Sequence, residues 1–205
     1  MNFLNSRFYS ILETVSNFFI LNIIWVLMCL PVVTIFPATA AMFGVVRQWI
    51  MKKDSSIFGP YFRLFKENFK QSFLLGIIWV LVVTILYIDY QLITQFGSIL
   101  KIVFTSLLFV LGIIVTFVTI YLFPVMVHFK LSFIGVIKNS FFISMMYFPS
   151  TIGKILVFVA MCVILIYFPV SFLMIFSIMA YFLFYMCYRN FQKIEELSKK
   201  YQEAS

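Results

Sequence analysis

Charge is scarce in this chain. Of its 205 residues, 15 are Lys or Arg, 7 are Asp or Glu and one is His, against a hydrophobic share of 64%. A soluble domain carries about a quarter of its residues charged, so the composition excludes a soluble globular fold and makes a bilayer the implied solvent. Cysteine is scarce too: Cys29, Cys162 and Cys187 all lie in apolar runs and show no metal-ligand spacing. An odd set placed that way is neither a disulfide framework nor a metal site, and small packing residues remain. With one histidine, no Ser-His-Asp set assembles at one membrane depth, and no glycine-rich loop ending in Gly-Lys-Ser or Gly-Lys-Thr is present. No catalytic residue, cofactor or metal is therefore expected, and the chain is not expected to be an enzyme.

What is present is long apolar runs: Phe18 to Phe36, Phe73 to Phe96, Ile102 to Phe129 and Ile155 to Tyr188. A spanning helix needs about 20 such residues, because the hydrocarbon core is about 30 Å thick. The last run is too long for one crossing and has Pro169 in its middle, which predicts a hairpin of two helices turning around Tyr167 to Ser171. Apolar residues run continuously instead of alternating, so a barrel is excluded. The predicted fold is all-α: a polytopic transmembrane bundle of five or six helices over residues 1–190, followed by a short cytoplasmic helical tail at 191–205.

The net charge of +8 sits in the gaps between spans. Arg47, Lys52, Lys53, Arg63, Lys66 and Lys70 fall in the second gap, Lys130, Lys138 and Lys154 in the fourth, and Arg189, Lys193, Lys199 and Lys200 in the C-terminal tail. Lys101 stands alone in the third gap and Arg7 in the N-terminal tail. Membrane topology explains this pattern, and nucleic acid is not an expected partner. The positive-inside rule places the second and fourth gaps and the C-terminus in the cytoplasm, with Lys101 and Pro169 outside.

The N-terminus depends on Leu30 to Ala41, "LPVVTIFPATAA". If Phe18 to Phe36 crosses once, the N-terminus is outside. If the chain breaks at Pro31 to Pro37 and returns along Ala38 to Met51, it is inside. The returning segment is short, about 21 Å as a helix of about 14 residues, but Pro37 suits a first helical turn and Arg47 and Lys52 can snorkel at its inner end. A short returning or re-entrant helix is the preferred reading. A cleaved leader is the other, because "ATA" mimics a signal-peptidase site, yet the apolar run is longer than a signal sequence needs and Arg7 is its only leading cation.

Two stretches read as cytoplasmic interfacial helices. Phe58 to Ser72 has aromatics spaced by three and four, with Arg63, Lys66, Glu67 and Lys70 around them, the pattern of a helix in the headgroup layer facing anionic lipid. Leu131 to Thr151 carries the stripe Ile134, Ile137, Phe141 and Met145, interrupted by Lys138. Each is a membrane-surface lead-in to the next span; the sharper reading makes Arg63, Lys66, Lys70 and Lys138 docking contacts for a cytoplasmic partner. In the tail, Glu195 with Lys199 and Glu196 with Lys200 are spaced for helical ion pairs.

Ionisable residues at membrane depth are costly and therefore informative. Asp89, between Tyr87 and Tyr90, is the candidate acid, read first as interfacial and second as a coupling carboxylate. His128, at the inner end of a span, reads as an interfacial residue. Hydroxyls at Thr34, Thr39, Thr84, Thr105, Ser106, Thr116, Thr119, Ser171 and Ser177 suit helix packing, and Gly76, Gly112 and Ala180 suit close approach. "IIWVL" occurs at Ile23 to Leu27 and again at Ile77 to Leu81, a coincidence cheap enough in this composition to claim no duplication.

"NIIWVLMCLPVVTIFPATAAM", Asn22 to Met42, and "FRLFKENFKQSFLLG", Phe62 to Gly76, resemble the YesL family of bacterial membrane proteins. One departure is Phe36, where members commonly carry glycine before the second proline. The family has no established activity, and its members are often encoded near carbohydrate-uptake systems of Gram-positive bacteria. The resemblance implies a non-enzymatic accessory protein of oligosaccharide import, with importer subunits as partners. The alternative is a transporter in its own right, with Pro31, Thr34, Pro37 and Thr39 on a broken segment lining the substrate path.

Overall fold

A computed structural model of the chain describes residues 3–52, 56–129 and 131–204. Lys53 and Lys130, counted above among the gap cations, lie outside the described residues. Seven α-helices follow one another there: α1 (Phe3–Met28), α2 (Ile35–Ile50), α3 (Phe58–Ile93), α4 (Ser98–His128), α5 (Phe133–Met146), α6 (Phe148–Tyr167) and α7 (Ile175–Ala204). Five segments, within α1, at Val32–Ile50, and over α3, α4 and α6, are long and apolar enough to cross a membrane. The all-helical polytopic fold is as expected.

Both proline breaks fall where the residues placed them. Pro31 is extended at φ −75° and ψ 116°, a short 3-10 turn spans Val32–Thr34, and α2 then starts with Pro37 in its first turn, where a missing N–H costs nothing. Across this turn α1 and α2 run antiparallel: Trp25 meets Thr39, while Phe18 meets Trp49 with ring centroids 5.4 Å apart. The chain therefore returns along α2. Pro169 opens the second 3-10 turn, Pro169–Leu173, between α6 and α7.

Returning, α2 becomes the buried axis of the bundle, with Pro37, Ala38 and Ala40 to Val46 all buried. Its small residues let neighbouring helices approach closely. At Gly44 a Cβ would stand 2.9 Å from Leu64 Cδ1 of α3. One apolar cluster joins Leu21, Met42, Val45, Tyr61 and Phe184; a second joins Leu75, Tyr121, Val125, Val136 and Phe191.

Phe58 to Ser72 is not a separate helix. It forms the first turns of α3, a helix of 36 residues and about 54 Å, well beyond the hydrocarbon thickness. Nothing between Pro60 and Gly76 breaks a helix, since Lys70, Gln71 and Ser72 interrupt the apolar run without interrupting the backbone. Pro60 does sit in its first turn, and Tyr61 is fully buried, donating its hydroxyl to Ala38 O at 3.2 Å. By contrast α5 is a separate helix of 14 residues, capped by Ser132.

The tail continues α7 without a break to Ala204. Phe191, assigned to the tail, is fully buried in the second cluster. Glu195 pairs with His128 Nε2 at 3.2 Å instead of with Lys199, and no Glu196 to Lys200 pair forms among the described residues. His128 is in turn enclosed by rings, stacking on Phe191 at 4.8 Å; it belongs to a tertiary contact between α4 and α7.

Candidate functional site

The residues singled out in the broken segment divide between two roles. Pro31 and Thr34 are turn residues: the Thr34 hydroxyl reaches the Met28 and Pro31 carbonyls, satisfying acceptors that the end of α1 leaves open. Leu30, Val32 and Val33 around them are exposed. Pro37 is buried in α2 packing. Thr39 alone faces a cavity, accepting the Trp25 indole N–H at 3.1 Å and donating to Ile35 O at 2.7 Å.

That cavity, about 550 Å³, is bounded by α1, α2, α3, α4, α6 and α7. Trp25 and Thr39 form one wall; Trp79 of α3 and Thr119 of α4 form another, joined by a Trp79 N–H to Thr119 bond of 3.0 Å. The two copies of "IIWVL" thus carry matching tryptophans, each bonded to a threonine on the next long helix. Thr119 and Thr116 donate their own hydrogens to Val115 O and Gly112 O. The lining holds no ionisable side chain, so the cavity offers ring faces and aliphatic surface to an apolar group.

Of the three small residues expected to allow close approach, Gly76 does so. A Cβ there would fall 2.9 Å from both Cγ and Cδ2 of Phe36. The Phe36 ring occupies this notch, with its centroid 5.9 Å from Trp79 and 5.6 Å from Phe123. Ala180 is fully buried. Gly112 has nothing within 4 Å of an added Cβ, because it faces the cavity.

The cationic candidates lie apart from the cavity. Arg63, Lys66 and Lys70 are exposed on α3, with Arg63 4.0 Å from Glu67. Lys138 is exposed on α5, its ammonium 6.0 Å from the Phe142 ring centroid. Gln71 ties α3 to the connection leading into α5 by donating to Leu131 O at 3.0 Å. Asp89 lies far along α3, half-buried in a crevice with Phe96, Phe104 and Leu107. The structure therefore does not bring Asp89, the basic residues and the threonines into one site.

Two polar constellations escaped the reading of the sequence. Asn22 is fully buried, donating to Phe172 O at 2.9 Å and accepting from Ser177 N at 3.2 Å, so it ties α1 to the start of α7. Lys154 is not a gap residue: it lies within α6 and is fully buried. Its ammonium donates to Tyr121 Oη and Ser150 Oγ, each at 2.8 Å, and Asn190 Nδ2 donates to the same two oxygens at 3.2 Å. A lysine inside an apolar run was the available signal, lost because that run was counted from Ile155. The partners Tyr121 and Asn190 are too distant in the chain to be linked to it by spacing.

The model of the DUF624 family, a protein family of unknown function, matches residues 18–90. The chain is 32% identical over 192 residues to the uncharacterized protein YesL of Bacillus subtilis (strain 168), covering 90% of this chain and 89% of the relative. It is 32% identical over 161 residues to YteU of the same organism, covering 77% and 72%. The likeness to YesV, also from that organism, is 30% over 127 residues, 60% of this chain and 61% of the relative. No solved structure matches the chain.

Proposed function

This chain belongs to the DUF624 family, and on that premise we propose that it is a non-enzymatic accessory subunit of a bacterial membrane uptake assembly, docking its partner on the basic end of its bundle. The observation that carries this reading is the exposed rings and cations on the first half of α3, with a second exposed set on α5. Phe58 and Phe62 on α3 are exposed together with the cations Arg63, Lys66 and Lys70, and Phe142 and Met146 on α5 are exposed together with Lys138. The Gln71 to Leu131 bond ties α3 to the connection that leads into α5. Rings and methionine interleaved with cations suit anionic headgroups or an acidic partner face. In this reading the basic end, with the C-terminus, is cytoplasmic.

Oligosaccharide as the cargo comes from the family resemblance. The cavity does not strengthen it, because its threonine hydroxyls are engaged by indoles and backbone carbonyls, whereas a sugar needs free donors and acceptors. The test is affinity purification of the tagged chain from native membranes in mild detergent. A membrane subunit of an oligosaccharide importer should co-purify and be lost on joint Arg63→Gln, Lys66→Gln and Lys70→Gln substitution. Recovery of the chain alone at native expression overturns the reading.

The cavity favours a second function, a permease for a small apolar or amphipathic solute. Uptake by the purified chain in liposomes, lost when the cavity is filled, would replace the accessory role with this one.

A further inference from the structure

We propose that the cavity between the start of α6 and the second half of α7 binds the phosphate group of a phosphate-bearing ligand. Arg189 and Lys193 stand at its mouth, Ser150 and Asn190 form its polar wall, and Lys154 lies behind that wall. The cavity, of about 320 Å³, lies at the end of the bundle where α7 carries its cations, separate from the apolar cavity and meeting the exposed α5 set only at Met146. The inference stands independently of the accessory reading.

Lys154 is the first support. A buried ammonium is stabilised by a counter-ion or pays a desolvation penalty of several kcal/mol. Among the described residues the ion pairs are Arg63 with Glu67 and His128 with Glu195, so no carboxylate lies within 4.0 Å of Lys154. Its neighbours are neutral oxygens and the Tyr121 ring, 4.6 Å from the ammonium to the centroid. Its amine is held in a built polar shell with no carboxylate in it among the described residues.

The hydrogens of that shell supply the second. Tyr121 Oη receives hydrogens from Lys154 and Asn190 and lies 3.2 Å from Thr151 Oγ1, which in turn donates to Ser144 O at 2.9 Å. This orders the chain from Lys154 through Tyr121 and Thr151 to a carbonyl. Ser150 Oγ likewise receives hydrogens from Lys154 and Asn190. Ser150 also lines the cavity. Its hydroxyl thereby joins the Lys154 shell to the cavity wall.

Position and charge agree with that direction. Ser150 lies in the first turn of α6, where backbone N–H groups and the helix dipole favour a negative group. Arg189 and Lys193 are exposed, four residues apart on α7, and neither has a carboxylate within 4.0 Å among the described residues. Like charges at that spacing repel, and a bound phosphate would reverse the sign of the interaction. Met146, Pro149 and Met186 complete the rim, which suits a phosphate carrying an organic substituent. A lipid headgroup and a soluble phosphate ester share this chemistry.

The test uses the full chain purified in a neutral maltoside detergent. Inorganic phosphate is titrated at constant ionic strength by calorimetry; phosphatidylglycerol is titrated in mixed micelles against phosphatidylcholine by native mass spectrometry. Both are repeated with the joint variant Arg189→Gln and Lys193→Gln, whose exposed sites leave the fold intact, and with Ser150→Ala. Saturable binding of either probe, weakened about tenfold or more in the joint variant, supports the site. Binding of inorganic phosphate identifies a soluble ester as the source, and binding of phosphatidylglycerol alone identifies the headgroup. Binding of neither probe, or binding equal in the parent and the joint variant, overturns the proposal.

Discussion

Trp79 on α3 donates its indole N–H to the hydroxyl of Thr119 on α4 across 3.0 Å, and Thr119 passes its own hydrogen to Val115 O at 2.7 Å. Trp25 and Thr39 repeat the arrangement between α1 and α2, with Ile35 O as the final acceptor. Each threonine therefore acts twice, turning a backbone carbonyl's spare lone pair into an anchor for an indole beside an apolar cavity. The repeated "IIWVL" segments place both tryptophans one helix away from their partners.

Thr119→Val removes this acceptor while keeping the shape of the side chain. An interhelical hydrogen bond in a membrane protein is worth about 1 kcal/mol, so the thermal midpoint in detergent should fall by a few degrees. Thr84→Val, at an exposed position of α3, should leave it unchanged. Equal midpoints for both variants would show that the Trp79 bond contributes nothing measurable.

Gly76→Ala should destabilise the bundle by about 1–3 kcal/mol, the range for overpacking a filled interior. The added methyl meets Cβ, Cγ and Cδ2 of Phe36, atoms that cannot swing away without moving the ring. Phe36→Ala in the same background should restore part of the loss in a double-mutant cycle, since it vacates the volume the methyl needs. Additive effects would deny the contact.

Phe36 also shows what could be read from the chain and what could not. Prolines and run lengths were enough to locate the turn at Pro31 and the hairpin at Pro169, because proline acts on its own backbone. The continuity of α3 through Ser72 was hidden, since polar side chains look like a boundary while the helix needs only the absence of a breaker. Ring against glycine, and Lys154 against Tyr121 and Asn190, are tertiary pairings with no fixed spacing. Asn22 was visible as a lone amide in an apolar run, but its partners at Phe172 and Ser177 were not.

Asn22→Leu should loosen the start of α7. It strands the Phe172 carbonyl and the Ser177 N–H that Asn22 now satisfies, and an unsatisfied buried group costs about 1–3 kcal/mol. Hydrogen exchange in detergent should rise for the segment from Phe168 to Ser177 while α2 stays protected. Uniform exchange across the chain would contradict a local tie.

Gly112→Leu separates the two functional readings. Open space surrounds the position of the added side chain, so it should enter the cavity and leave the fold at least as stable, with an unchanged or higher thermal midpoint. If the chain is an accessory subunit, partner co-purification persists in this variant. If it is a permease, uptake in liposomes falls by about tenfold or more.

The antiparallel pairing of α1 with α2 makes a prediction about sides. Phe18 faces Trp49 and Trp25 faces Thr39, so the start of α1 and the end of α2 lie at the same end of the bundle, the end where α3 begins. Single cysteines introduced at Asn2 and Ser55, which lie outside the described residues, should both react with an impermeant maleimide only after the membrane is opened from the cytoplasmic face. Lys193→Cys should behave the same way, because Glu195 on the same helix meets His128 at the end of α4. Val170→Cys, exposed in the turn between α6 and α7, should react in intact cells. Native cysteines Cys29, Cys162 and Cys187 are first replaced by alanine so that each signal has one origin. Labelling of Asn2 and Ser55 from opposite faces would mean that α1 crosses and α2 does not return, and the turn at Pro31 would then be a plain helix end at the far face.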